Sequence, residues 1–127
     1  MVWRVNMGGE VEDIAVADMN GDGRPEVIVG SDVGQLACIG GDGEVIWRRD
    51  LVDKITWLAT VDGDGKPEVV VGFDTGEVRV YNGAGAPVAG CQVAGEMTYL
   101  RKRMGGEGDR VVCATSAGTV TAFRPVW

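Results

Sequence analysis

Short hydrophobic runs recur along the chain, and glycine-rich polar segments separate them. Within residues 10–51 the runs are EDIAVAD, EVIVG, QLACIG and EVIWRRD, of which the last two alternate between apolar and polar positions. Such alternation is typical of half-buried strands, and the intervening NGDG, SDVG and GGDG are strong turn signals. The pattern therefore predicts four short antiparallel strands in this segment.

The whole pattern repeats with a period of 42 residues. DMNGDGRPEVIVG at 18–30 returns as TVDGDGKPEVVVG at 60–72, and the same shift relates Gly34, Gly76 and Gly118, each of which opens an alternating segment. The third copy keeps the strand pattern, although its acidic loop has changed to KRMGGEGDRVVCA. Four short strands in a unit of about 40–45 residues are typical of a β-propeller blade.

The repeat predicts an all-β protein, a β-propeller built of four-stranded blades with three blades per chain. The blades are expected at about 10–51, 52–93 and 94–127, and the third ends after its third strand, GTVTAF. MVWRVN at residues 1–6 resembles the fourth strand that this blade lacks. Because propellers close with about four to eight blades, we expect a homodimer that closes a six-bladed ring, with Met1–Asn6 beside Gly118–Phe123 of the partner. The rival interpretation is a fragment of a larger propeller.

Composition and charge narrow the range of partners. The 127 residues include 12 basic and 19 acidic ones, which gives a net charge of −7, and histidine is absent. This charge disfavours a nucleic-acid partner and an anionic membrane surface.

The first twenty residues do not resemble a signal peptide, and no apolar run is long enough to span a membrane. The three cysteines show no CxxC spacing, so they indicate neither a zinc site nor a disulfide framework, and as free thiols they favour a reducing compartment such as the cytoplasm.

The segment DMNGDGRPEVIVGSDVGQLACIGGDGEVIW resembles the FG-GAP/VCBS repeats of integrin-α-like propellers, and its second half is similar to quinoprotein-type repeats. The resemblance extends over essentially the whole chain and is weaker in the third unit. In that family the loop between the first and second strands of a blade often holds calcium. The ligands that the resemblance implies are Asp18, Asn20, Asp22, the carbonyl of Arg24, and Glu26 in unit one, and Asp62, Asp64, the carbonyl of Lys66, and Glu68 in unit two.

The chemistry of these loops suits calcium, because calcium is a hard ion that takes six to eight oxygen ligands. An EF-hand is excluded, since its twelfth position would fall on Val29. In unit two Thr60 replaces the first carboxylate, so weaker binding is expected there, and unit three offers no ligands in register. The alternative interpretation is that NGDGRPE is only a turn, in which the Asp and Asn side chains accept hydrogen bonds from nearby amides.

Two classes of function remain open at this stage. One is a non-catalytic binding or assembly module that presents loops to a protein or glycan, with calcium stiffening those loops. The other is an enzyme, or a piece of one, of the quinoprotein dehydrogenase or polysaccharide lyase type. The fold does not decide between them. The sequence favours the non-catalytic module, because it lacks histidine, a G-x-S-x-G motif and the adjacent cysteines that mark quinoproteins.

Overall fold

The structure is a computed structural model. It describes the backbone of residues 2–63, 66–92, 95, 97–105, 108–115 and 120–123, and the side chains of residues 2–61, 67–92 and 95. The strands are β1 (Val11–Ala17), β2 (Glu26–Ser31), β3 (Gln35–Ile39), β4 (Val45–Asp50), β5 (Trp57–Gly63), β6 (Lys66–Gly72), β7 (Glu77–Asn82), β8 (Pro87–Gln92), β9 (Met97–Gly105), β10 (Gly108–Thr115) and β11 (Val120–Phe123). No helix in the described part of the chain is long and apolar enough to cross a membrane.

The strands form three antiparallel sheets in which neighbours in sequence are neighbours in space. Strands β1 to β4 make one four-stranded sheet and β5 to β8 a second, while β9 to β11 make a sheet of three strands. The prediction of four-stranded antiparallel blades is thus confirmed for the first two units, which we call blade one and blade two. The strands β1, β5 and β9, which open the three sheets, lie next to one another, with β5 in contact with both β1 and β9.

Each blade has two apolar faces, because successive residues of a strand point to opposite sides of the sheet. One row crosses all four strands of blade one and consists of the register-paired residues Ala15, Ile28, Cys38 and Trp47. This row packs in a single core with Leu58, Val71 and Phe73 of blade two. The alternation in the sequence therefore builds an interface between blades as well as the blades themselves.

The segment before β1 lies on the opposite face of blade one. Met7 is buried there against Val29, Ala37 and Ile39, and Trp3 packs against the same cluster. The Arg48 guanidinium donates a hydrogen bond of 3.1 Å to the carbonyl of Asn6. The pairing of residues 1–6 with a partner strand stays a prediction, since the described part of this segment forms no strand within its own chain.

Candidate metal centre and assembly surface

The predicted calcium loop of blade one joins β1 to β2 as an open loop. Ala17 and Glu26 form the last residue pair between β1 and β2, so the residues between them lie outside the sheet and form the loop. Gly21 and Gly23 adopt φ angles of 77° and 82°, a left-handed conformation that side chains with a Cβ disfavour. The two glycines of NGDG therefore suit the backbone path of this loop.

Three of the predicted ligands come together in the structure. Oxygen atoms of Asp18, Asp22 and Glu26 all lie within 4.8 Å of one another. Calcium binds oxygens at about 2.3–2.6 Å, so ligands on one ion lie up to about 5 Å apart, and the three carboxylates fit that requirement. Each contributes negative charge, which a divalent cation would compensate.

The loop is also held by its own hydrogen bonds. The Asp18 carboxylate accepts bonds from the amides of Gly21 and Gly23, each at 2.8 Å, and from Asp22 at 3.2 Å. Asn20 Oδ1 accepts a bond of 3.1 Å from the Asp22 amide. These contacts are the side-chain turns that the alternative interpretation predicted, and they also hold the acidic side chains in place for an ion.

Glu26 is the most buried member of this group. Glu26 is only 2% exposed. Its Oε1 atom accepts hydrogen bonds from the amides of Met19 at 2.7 Å and Asn20 at 3.3 Å. Burial, with a smaller contribution from the charge of Glu26, raises the pKa of the nearby Cys38 thiol to about 12. A negative charge is thus held at the base of the loop, beside a thiol that stays protonated.

A second loop borders the same site, and sequence reasoning missed it. A cavity of about 400 Å³ is lined by Asn20, Asp22, Arg24, Glu26, Gly40, Gly41, Asp42, Glu44 and Ile46. The turn between β3 and β4 therefore adds two more carboxylates opposite the predicted ligands. The available signal was the sequence GGDGE, which repeats the glycine and acidic composition of the first loop.

The corresponding loop of blade two is shorter in the structure. Strand β5 extends to Gly63 and β6 begins at Lys66, and these two residues pair as the end of a tight hairpin. Glu68 is buried, at 7% exposure. The side chains of Asp62, Asp64 and Lys66 lie outside the described residues, so calcium in this loop stays a prediction.

The outer strand of blade one contacts blade two through a tryptophan. Trp47 in β4 donates a hydrogen bond of 2.9 Å from Nε1 to the carbonyl of Gly83, in the turn between β7 and β8. Trp3 donates the same bond, at 3.1 Å, to the carbonyl of Gly41 in the turn between β3 and β4. The two acceptors are 42 residues apart, so the N-terminal segment contacts blade one as β4 contacts blade two.

The comparisons with known proteins agree with this architecture. Residues 11–46 match the family model of the FG-GAP repeat, which confirms the resemblance predicted for the first unit. No match was found among curated protein sequences.

Among solved structures, the chain is similar to BBS1N in complex with ARL6DN, in crystals soaked with mercury (TM-score 0.79, 18% identity) and with lead (0.76, 20%). The chain is also similar to HIRA(644-1017), with a TM-score of 0.54 and 15% identity. The matches cover 94%, 94% and 91% of this chain but only 39%, 38% and 36% of those chains, so it spans about two fifths of their length. This likeness supports a β-propeller-like fold.

Proposed function

We propose that this chain is a non-catalytic β-propeller module for binding and assembly, which closes a six-bladed ring as a homodimer. The observation that carries the proposal is the position of Trp3, which contacts blade one as Trp47 contacts blade two. The N-terminal segment thus takes the place of the outermost strand of a preceding blade. The sheet of β9 to β11 has three strands within the described residues, so it is the sheet that such a strand would complete.

In the proposed ring, each N-terminal segment adds to the third sheet of the other protomer. Residues 1–6 run beside Gly118–Phe123 of the partner and supply backbone hydrogen bonds along that edge, as strand addition does in general. A twofold axis makes the exchange reciprocal, and both ends of the two half-rings are then joined. Unpaired strand edges would otherwise be exposed at these positions.

The ligand of the assembled module is proposed to be a protein, with a glycan as the alternative class. BBS1N, which has a similar fold, was solved in complex with ARL6DN, and propellers in general expose their loops on a rigid scaffold. The proposal assigns no catalytic residue, because the sequence contains no histidine and no recognisable nucleophile motif.

Calcium is proposed as a structural ion of the blade-one loop. Asp18, Asp22 and Glu26 would supply carboxylate oxygens, with Asn20 and the carbonyl of Arg24 as further ligands. A bound ion would neutralise the repulsion among carboxylates that lie within 4.8 Å of each other and would stiffen the rim of the cavity. Blade two is proposed as a weaker site through Asp62, Asp64, the backbone carbonyl of Lys66, and Glu68.

Light scattering on the purified chain tests the assembly. The expected mass is twice the 13.4 kDa of one chain. Trp3→Ala should weaken the dimer, whereas Val88→Ala should leave it intact, because Val88 lies in the outer strand of blade two and belongs to neither exchanged segment. Deletion of residues 1–6 should abolish the dimer. A folded wild-type monomer at high concentration would rule out the ring.

A further inference from the structure

The face of blade one opposite to blade two is apolar, and half of it is uncovered. Ile14 and Val16 in β1 are 55% and 59% exposed, although the register places them on the same face as Val29 and Val27. The N-terminal segment covers the other half of this face, where Val29 is buried beside Met7. We call Ile14 and Val16 the open face.

Blade two provides an internal comparison for this surface. Leu58 pairs with Val71 as Ile14 pairs with Val29, and the two valines are 42 residues apart. Leu58 thus occupies the position of Ile14, yet it is only 5% exposed, because blade one packs against it. Ile14 is therefore exposed because no blade packs against this side of blade one, whereas blade one covers the equivalent side of blade two.

We infer that the open face docks the sheet of β9 to β11 from a second copy of this chain, in the way that blade two docks on blade one. This inference rests on the homodimer proposed above and specifies its side-chain interface. A blade docked on blade one would place its fourth strand where the N-terminal segment already lies. The part of the blade still to be supplied beside the open face is therefore a sheet of three strands. The sheet of β9 to β11 has three in its described part.

The third unit has the residue types that such docking needs. Ile28 and Leu36 of blade one contribute to the core that covers Leu58. Two repeat periods later, the corresponding residues are Val112 and Val120, both apolar. Val112 pairs with Ala122 in the backbone register of the third sheet, so apolar residues occupy paired positions on these two strands.

One pair of positions should meet across the interface. A Cβ built on Gly30 would lie 3.4 Å from Cδ1 of Leu58, so residues 30 and 58 are neighbours between blades one and two. Two repeat periods after Gly30 lies Ala114 in the third sheet, and the strand pairing makes Ile14 the counterpart of Leu58 in blade one. Ile14 of one protomer is therefore expected beside Ala114 of the second copy.

Directed crosslinking tests this pairing. Chains with Cys38, Cys91 and Cys113 replaced by alanine would carry either Ile14→Cys or Ala114→Cys, with different affinity tags, and would be refolded together before treatment with a short bis-maleimide. The expected product is a crosslinked dimer that contains one chain of each kind. A product made mainly of two Ile14→Cys chains would show that open faces pair with each other and would overturn the inference.

A charge substitution with native cysteines provides a second measurement. Ile14→Lys combined with Val16→Lys should reduce the mass from that of the dimer to 13.4 kDa with the circular dichroism of the strands preserved. Val88→Lys is the matched control, because Val88 is a 42% exposed valine on the outer strand of blade two. A dimer that survives the double substitution and gives no mixed crosslink would leave the proposed homodimer standing and refute docking on the open face. A wild-type monomer would refute both.

Discussion

Trp3 and Trp47 make the same hydrogen bond with successive blades, although only Trp47 lies in a strand of its own sheet. The indole nitrogens donate to the carbonyls of Gly41 and Gly83, at 3.1 and 2.9 Å. Each tryptophan ring also lies against the glycine two residues further along, since a Cβ built on Gly43 or Gly85 would come within 2.6 Å of the ring. The glycine-rich turns of the repeat thus serve as sockets for tryptophans, in addition to reversing the chain.

Trp47→Ala should be among the most destabilising single substitutions in the chain. Trp47 is 7% exposed and packs in the core between blades one and two, and truncation of a buried tryptophan costs about 3–5 kcal/mol. Trp47→Phe should cost less, because it keeps most of the packing while leaving the Gly83 carbonyl without its donor, a loss of about 1–3 kcal/mol. Urea unfolding measures both.

Trp3→Phe is the matched comparison for this series. Trp3 is only partly buried and its bond to Gly41 is exposed, so the same chemical change should have a smaller effect on the free energy of unfolding. Equal effects at the two positions would show that the socket contact, and not the interblade core, determines the contribution of Trp47.

Calcium should raise the melting temperature, because an ion that binds only the folded state stabilises it by mass action, by about 2.7 kcal/mol at one hundred times the dissociation constant. Asp22→Asn should remove this gain, since it keeps an oxygen for the Arg24 amide but deletes one of three clustered charges. Without calcium, the same variant should be slightly more stable than the wild type, because repulsion is relieved.

Asp74→Asn is the control for the calcium measurement, because Asp74 is exposed and lies in the turn between β6 and β7. Its response to calcium should equal that of the wild type. If calorimetry detects no heat of binding up to millimolar calcium, and EDTA leaves the melting temperature unchanged, the loop is a turn held by its own hydrogen bonds.

Cys38 should make the protein less stable at high pH. The pKa of its thiol rises to about 12 on folding, from 9.0, mainly through burial. Between these values the unfolded chain loses a proton that the folded chain keeps, so the free energy of unfolding falls by about 1.4 kcal/mol per pH unit as the pH increases. Below pH 9 both states are protonated and the thiol has no such effect.

Comparison with Cys38→Ala isolates this contribution, because other groups also titrate at high pH. The variant should be less stable at pH 7, where it loses packing, and should show a shallower decline between pH 9 and 11. Cys91→Ala should change the decline less, since Cys91 is exposed. Parallel pH profiles for the parent and Cys38→Ala would contradict the buried thiol.

The sequence predicted the strands well because their signals are local. Alternation and turn residues define β1 to β4, and the repeat carries the same pattern to β5 to β8. The resemblance to FG-GAP/VCBS repeats implied that Asp18, Asp22 and Glu26 would come together, and all three belong to a single short segment of the chain.

The remaining features depend on contacts between distant segments. Asp42 and Glu44 border the same cavity as Asp22 only because the sheet brings the turn after β3 beside the loop after β1. Likewise, Ile14 and Leu58 pair with the equivalent valines Val29 and Val71, and only their neighbours in space distinguish the exposed side chain from the buried one.

Val52 carries backbone strain that a substitution should relieve. Its φ of 71° is the only positive value among the described non-glycine residues, and a β-branched side chain tolerates this conformation poorly. Val52 is the centre of a three-residue turn, closed by a 2.8 Å bond from the Asp53 amide to the Leu51 carbonyl, and its side chain is 79% exposed. A three-residue turn with a positive φ at its centre is rare and strained, strain of this kind costs about 1–3 kcal/mol, and asparagine adopts positive φ more often than valine does. Val52→Asn should therefore raise the free energy of unfolding by about 1 kcal/mol, which corresponds to a melting temperature higher by about 4 °C in a domain of this size.

Val33→Asn is the control for Val52→Asn, since Val33 is also exposed and has no positive φ, and it should give no gain. A lower melting temperature for Val52→Asn would mean that the apolar side chain contributes contacts that outweigh the strain.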